Sequence, residues 1–212
     1  MEAGSSFSDR LDSELKPKDD QWKQMVDLFY QRTNLHIGLV NKYAQIIYER
    51  FPEVCAELVT NAHQHDDSKY QRPEFVPYVY LTWGKQNNMD FTVLCDSMYE
   101  CLNCHGFETP QDIKNAISKA TFHHITVNKH HPEFHSPQKI QQVAIGETPP
   151  IVVATGMDIL SLAEMCADWA AMSEELGTNV VDWAYENINR WRFNPNQKRQ
   201  IADFLTACVK NG

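Results

Sequence analysis

An all-α fold is what this sequence predicts, and three observations predict it. Apolar residues recur at spacings of three and four along most of the chain, as on helices with one buried face. Helix-opening and helix-closing residues punctuate those stretches: Thr109-Pro110 and Asn194-Pro195 open two, and Gly106 and Gly177 close two others. Few stretches lack the period, chiefly 1–19, 70–79 and 136–154, which read as a flexible tail, an irregular connection, and a long loop or short hairpin. At 212 residues, the chain suits one domain over 20–212 behind the tail. Such a domain buries enough core that neither a disulfide nor a metal is needed to hold it.

The first helix is expected from about Asp20 to Phe51. Trp22, Met25, Val26, Phe29, Thr33, His36, Val40, Tyr43 and Ile47 share one face, and Pro52 stops it. That phase turns His36 toward the core. A second helix is expected after Pro52, with Val54, Leu58, Asn61 or Ala62, and His65 on one side, ending in His65-Asp66-Asp67-Ser68-Lys69. A third is expected over about 89–103. The helix from Thr109 carries Ile113, Ile117, Ala120, His124 and Val127. His131 stands seven residues beyond His124 and shares its face if the helix continues, although Pro132 and Pro137 limit it. Thr155-Gly156-Met157-Asp158 resembles a capping box opening a helix that ends at Gly177. Helices over 180–191 and 195–210 complete the chain. The aliphatic setting of Trp83, Trp169, Trp183 and Trp191 reads as core.

Charge narrows the function. Lys and Arg number 19 against 28 Asp and Glu, a net charge of −9. A general nucleic-acid binder or a protein drawn to anionic membranes wants the opposite balance. No apolar run approaches the 18 residues of a membrane-spanning helix, and Met1–Arg10 has no apolar core of a secretory signal, so a cytoplasmic protein is expected. Six cysteines in a chain of this length and setting then read as free thiols, with Cys55, Cys95, Cys166 and Cys208 in the core. Cys101-Leu102-Asn103-Cys104-His105 matches a haem-attachment pattern, but attachment needs an oxidising export compartment, so partly buried helix cysteines are the better reading.

Histidine is the informative residue: eight of the nine fall between His63 and His135. His65-Asp66 at a helix end can serve two adjacent cations, with imidazole nitrogen on one and carboxylate shared by both. Alone, that dipeptide is better read as a polar helix terminus. His36 on an apolar face, Asp168 inside an apolar helix, and His124, His130 and His131 between them strengthen the metal reading. A buried carboxylate is costly unless it is paired or metal-bound, and several such groups facing inward satisfy one another around cations. His63, His123 and His135 read as surface or loop residues, and Ser68 as a helix terminus.

The order His36 … His65-Asp66 … Asp168 resembles the H … HD … D signature of the HD-domain superfamily of metal-dependent phosphohydrolases. His65-Asp66-Asp67-Ser68-Lys69 resembles its H-D-x-x-K form. His124-x-x-x-Asn128-x-His130-His131-Pro132-Glu133 and Glu164-Met165-x-x-Asp168-Trp169 resemble a small branch of that superfamily, the likeness spanning about residues 30–175. The resemblance implies an HD-like helical bundle with metals between helices. It implies His36, His65, Asp66 and Asp168 as primary ligands, Asp66 bridging, and His124 with His130 or His131 on a second metal; helix phase favours His131. Lys69 would stand near the substrate anion. Glu133, grouped with Lys69 and Asp66 as catalytic, and Glu164 would orient imidazoles, unless they are ordinary surface acids; Asn128 would line the pocket. No Gly-Tyr-Pro follows His131, so the cyclic-dinucleotide substrate of one branch is not implied.

The expected activity is hydrolysis of a small anionic, phosphorylated substrate. It would use one or two divalent ions among manganese, iron, cobalt, nickel, zinc and magnesium. A di-iron oxygenase of HD type and a catalytically silent metal- or ligand-binding module are the alternatives.

Overall fold

A computed structural model describes residues 20–53, 57–97 and 99–210. The tail over 1–19, Val54 and Cys55 lie outside the described residues. The fold is all-α, with one two-stranded patch of sheet.

Helix α1, Asp20–Arg50, runs unbroken for 31 residues, about 46 Å at 1.5 Å per residue. Its buried positions are those of the sequence stripe together with Ala44. The two halves of α1 serve different cores. Trp22, Met25 and Phe29 join an aromatic-rich cluster with Phe75, Tyr80, Leu94 and Ile113. Val40, Tyr43 and Ile47 join an aliphatic cluster with Leu162, Met165 and Phe204. Thr33 and His36, the buried polar residues of α1, fall between the two.

The segment after Pro52 departs from expectation. Among the described residues there, Leu58–Ala62 is the α-helical part (α2), and turns carry the chain through His65 and Asp66 into a 3-10 turn, Asp67–Tyr70. Consecutive helical side chains diverge by about 100°, so a continued helix would send His65 and Asp66 to different faces. Asp66 instead takes left-handed backbone, φ 65° and ψ 13°. Aspartate tolerates that region better than most residues, and the cost is held in place by the packed surroundings.

Residues 70–79 are not irregular throughout. Helix α3, Phe75–Gln86, starts inside them, with Pro77 in its first turn, where a missing N–H leaves no helical bond unmade. In the 89–103 region the described residues are helical over Phe91–Ser97 (α4) and Tyr99–Cys104 (α5). Helix α6, Pro110–Val127, opens with Thr109 and Asp112 capping each other's backbone N–H groups. It ends at Asn128, so His130 and His131 are not on a helix; a 3-10 turn, Pro132–His135, follows.

Residues 136–154 form a long loop, not a hairpin. Its last part is strand β1, Val152–Val153, which pairs in parallel with β2, Trp191–Arg192. Gln197, buried, donates from Nε2 to the backbone oxygens of Ala154, Thr155 and Met157, tying the loop's end to α9. Helix α7, Ile159–Leu176, is capped by Asp158 accepting from Ser161 N, not by Thr155, and closes at left-handed Gly177. Helix α8 is Val180–Asn187, shorter than expected because a 3-10 turn, Ile188–Arg190, leads into β2. Helix α9, Pro195–Lys210, opens with Asn194 and Gln197 in reciprocal capping bonds. Helix α7 packs against α1 and α9, while α3 packs against α1 and α6. No helix among the described residues is long and apolar enough to cross a membrane.

Candidate metal centre

Four separate parts of the chain meet where α1 passes from one core to the other. Helix α1 contributes His36, the left-handed turn contributes His65 and Asp66, and α7 contributes Asp168. Helix α6 and the turn beyond it contribute His124, His130 and His131. In each of three trios the ligand atoms lie within 4.8 Å of one another: His36, His65 and Asp66; His65, His130 and Asp168; His124, His130 and His131. All seven residues proposed from sequence as metal ligands are therefore in one cluster. Both His130 and His131 turn inward, His131 by a route other than the expected helix phase. His130 is the more buried of the two.

Asp66 lies at the middle. Its Oδ1 is 3.2 Å from His124 Nε2, 3.7 Å from His65 Nε2 and 3.8 Å from His130 Nε2, while its Oδ2 is 3.8 Å from His36 Nε2. His36 Nε2 also stands 3.1 Å from Asp168 Oδ1. Lys69, one helical turn beyond Asp66, donates to Asp66 Oδ2. The buried atoms His65 Nε2, Asp66 Oδ1, His130 Nε2 and His131 Nε2 have no hydrogen-bond partner. Buried polar atoms are rarely left so, and these four belong to one cluster. A divalent cation accepting nitrogen and carboxylate donors would satisfy them, so the residues present fit a metal.

A second ring of carboxylates holds the imidazoles from behind. His36 Nδ1 donates to Glu175 Oε1 at 2.7 Å, His65 Nδ1 to Glu164 Oε1 at 3.0 Å, and His124 Nδ1 to Glu74 Oε2 at 2.9 Å. His130 Nδ1 is 3.4 Å from the same Glu164 oxygen. A proton held on Nδ1 in this way leaves the Nε2 lone pair facing the cluster, the tautomer a metal ligand needs. One oxygen of Glu164 thus faces both His65 and His130. Glu133 turns instead to Trp191, accepting from its Nε1 at 2.9 Å, and lines the neighbouring cavity. Asn128 donates to Ser68 Oγ, and Ser68 to Glu74, so both belong to the bonding around Glu74. Ser68 is accordingly more than a helix terminus.

Two carboxylates and one histidine escaped the sequence reading. Glu175 stands seven residues beyond Asp168, on the face shared by Glu164 and Asp168, so helical spacing carried a signal for it. Glu74 sits between Pro73 and Pro77, and its partners are some 50 residues away; no local pattern marked it. His123 is not merely a surface residue: its Nδ1 donates to Glu74 Oε1 at 2.7 Å, although its side chain remains 38% exposed. His63 is exposed and His135 lies in the loop region, as expected. Cys95, Cys166 and Cys208 are buried, as expected, Cys95 and Cys208 as free thiols. His105 of the Cys-x-x-Cys-His run is engaged by Tyr80 and stacked near Trp22, which fits a structural role.

Electrostatics divide the cluster. Burial opposes charging His36, but hydrogen bonds to Asp168 and Glu175 outweigh it and lift the imidazole to about 9. His65 rises to about 10, burial again being overcome by the charge on Asp66, by the nearby Asp168 and by the bond to Glu164. For His130, burial and then the charge on His65 push the value down, and burial with neighbouring imidazoles pushes His131 well down. Asp66 and Asp168 stay well below the usual carboxylate range, burial being overcome chiefly by Lys69 and His65 for the first and by His36 and His65 for the second.

Beside the cluster lies a cavity of about 490 Å³, to which His131, Asp168 and Glu133 contribute wall. Trp169, Trp183 and Trp191 are core residues on one side and cavity wall on the other. No curated protein and no solved structure matches the chain. Residues 25–211, which hold every member of this cluster, match the family of unknown function DUF5662, and the chain belongs to that family.

Proposed function

We propose that the protein is a metal-dependent hydrolase of the HD type, acting on a phosphoester or nucleotide-type small anionic substrate. The observation that carries this reading is the set of four partnerless buried atoms within a cluster of five imidazoles and two aspartates. The order His36 … His65-Asp66 … Asp168 supports it from the sequence side. Divalent cations held there would supply an activated water and offset charge on a phosphoryl group. The chain's own part is to hold and orient. Asp66 is shared by the two groups of histidines, and Glu74, Glu164 and Glu175 fix the tautomers of His124, of His65 with His130, and of His36. Lys69, already directed at Asp66, would shift to a substrate oxygen once cations compete for that carboxylate. A cytoplasmic setting is part of the proposal, supported by the free thiols of Cys95, Cys104 and Cys208.

Elemental analysis of the purified protein, then phosphate release from a phosphoester panel with each divalent metal, tests this reading. Bound metal with metal-dependent release is expected. Lys69→Ala should keep its metal and lose turnover; loss of both would make Lys69 structural. Metal at full content with no release from any ester would favour the silent binding module. One observation favours a second reading, oxygen-dependent oxidation at an iron-loaded centre: the adjoining cavity is mainly apolar, and Arg190 is the one lysine or arginine among its described lining residues. Iron-dependent oxygen consumption with no phosphate release would select it.

A further inference from the structure

The cavity beside the cluster has walls of unusual composition for a phosphate-handling site. Phe122 and Ile125 of α6, Trp169 and Met172 of α7, and Trp183 of α8 form the body of the wall. The long loop covers it with Ile140, Val143, Ile145, Pro149 and Pro150. Acidic groups in the wall are Glu133, Glu147 and Asp168, against Arg190 alone as a fixed cation. Arg190 itself lies over the Trp191 ring, 4.8 Å from its centroid. Such a wall opposes a chain of phosphates or a sugar, whose charges and hydroxyls would find few partners. It favours an apolar body, and its volume lies within the roughly 300–1,000 Å³ of small-molecule pockets.

Continuity with the cluster gives the body a direction. His131 and Asp168 belong both to the cavity wall and to the candidate metal centre, and His131 Nε2 is one of the partnerless buried atoms. We infer that the cavity holds the apolar body of the substrate, with a single compact anionic group at its inner end against the cation centre. Specificity then resides in the loop over 136–154 and in α7, while the histidines handle only the head group. Strand β1 and Gln197 anchor the end of that loop to the rest of the domain. The inference rests on the metal-centre reading for the head group, and on the cavity alone for the body.

The test compares hexylphosphonate with methylphosphonate on manganese-supplemented protein, by calorimetry and by tryptophan fluorescence. Trp169, Trp183 and Trp191 report directly on cavity filling. Hexylphosphonate should bind at least tenfold more tightly and change the fluorescence, and methylphosphonate should not. Met172 and Leu176 are 42% and 64% exposed at the cavity's edge, so their replacement spares the core. The double variant Met172→Gln, Leu176→Gln should keep its metal content and lose most of the preference. Equal affinity for the two phosphonates, or a preference untouched in the double variant, overturns the inference and leaves the hydrolase reading to its own phosphate-release assay. A strong preference for the hexyl chain with no phosphate released from hexyl phosphate upholds the cavity assignment and removes the hydrolase reading.

Discussion

The two halves of the cluster share Asp66 but are built differently. His36, His65 and Asp168 come from α1, the turn after α2 and α7, respectively, and carboxylates stand at both nitrogens of each imidazole. His130 and His131 come from a turn between α6 and the loop, packed ring against ring at 4.3 Å between centroids. The first pair keeps its protons to about 9 and 10; the second pair is held neutral by burial and by like neighbours. A cation entering the first half must displace protons, whereas His130 and His131 already offer free nitrogen. The same residue type is thus placed in opposite charge states by what surrounds it.

The largest expected effect falls on the shared group. Asp66→Ala should empty both halves, lowering metal affinity by more than the roughly 10- to 100-fold typical of losing an outer partner. Far-UV circular dichroism should still show a helical protein, and metal retained at full stoichiometry would break the comparison at its centre. Next in size are single-half changes. Asp168→Asn should remove about one metal equivalent from the His36 side, and His131→Gln about one from the other side; elemental analysis that finds both equivalents lost in each would mean the halves are not separable.

A pH series sharpens the same contrast. Affinity of the His36–His65 half should climb between pH 6 and 9 by about tenfold per pH unit for each proton displaced, with a flatter response in a variant reporting the other half. Without metal the sign is opposite for stability. A folded-state imidazole raised to about 9 or 10 contributes fully below its unfolded value of about 6.5. That contribution is lost as pH rises through the folded values, so the melting temperature of chelator-treated protein should fall from pH 7 to 10 while metal-loaded protein resists. The smallest effect belongs to the outer carboxylates. Glu175→Gln reaches one imidazole of the cluster, His36, besides the half-exposed Arg32, and should weaken that half by about tenfold, whereas Glu164→Gln, in reach of His65 and His130, should weaken both halves.

Helix α1 was legible residue by residue because its pattern is written within each turn and repeated for 31 residues. The Thr109 and Asn194 helix starts were legible for the same reason, since a cap and its partner lie three residues apart. Helix α3 was hidden by its prolines, which mark an interrupted chain unless one knows that Pro77 falls in a first turn. Within the site, His36, His124 and Asp168 could be found as polar residues on apolar stripes. Glu74 and His123 could not, because what gives them a role is each other, across 49 residues.

By itself, then, the sequence determined the all-α fold, the placement of α1, α6, α7 and α9, and the short roll of imidazoles and acids able to meet inside. Those features depend on contacts within a few turns of helix, which a linear pattern records. The tertiary structure alone decided that Asp66 turns left-handed, that His130 and His131 both face inward, and that Glu74 and Glu175 join Glu164 behind the ring. It also decided that three tryptophans of the core wall a cavity next to that ring. Each of those outcomes depends on the packing of segments far apart in the chain, where burial and neighbouring charge, not local periodicity, set which conformation is lowest in free energy.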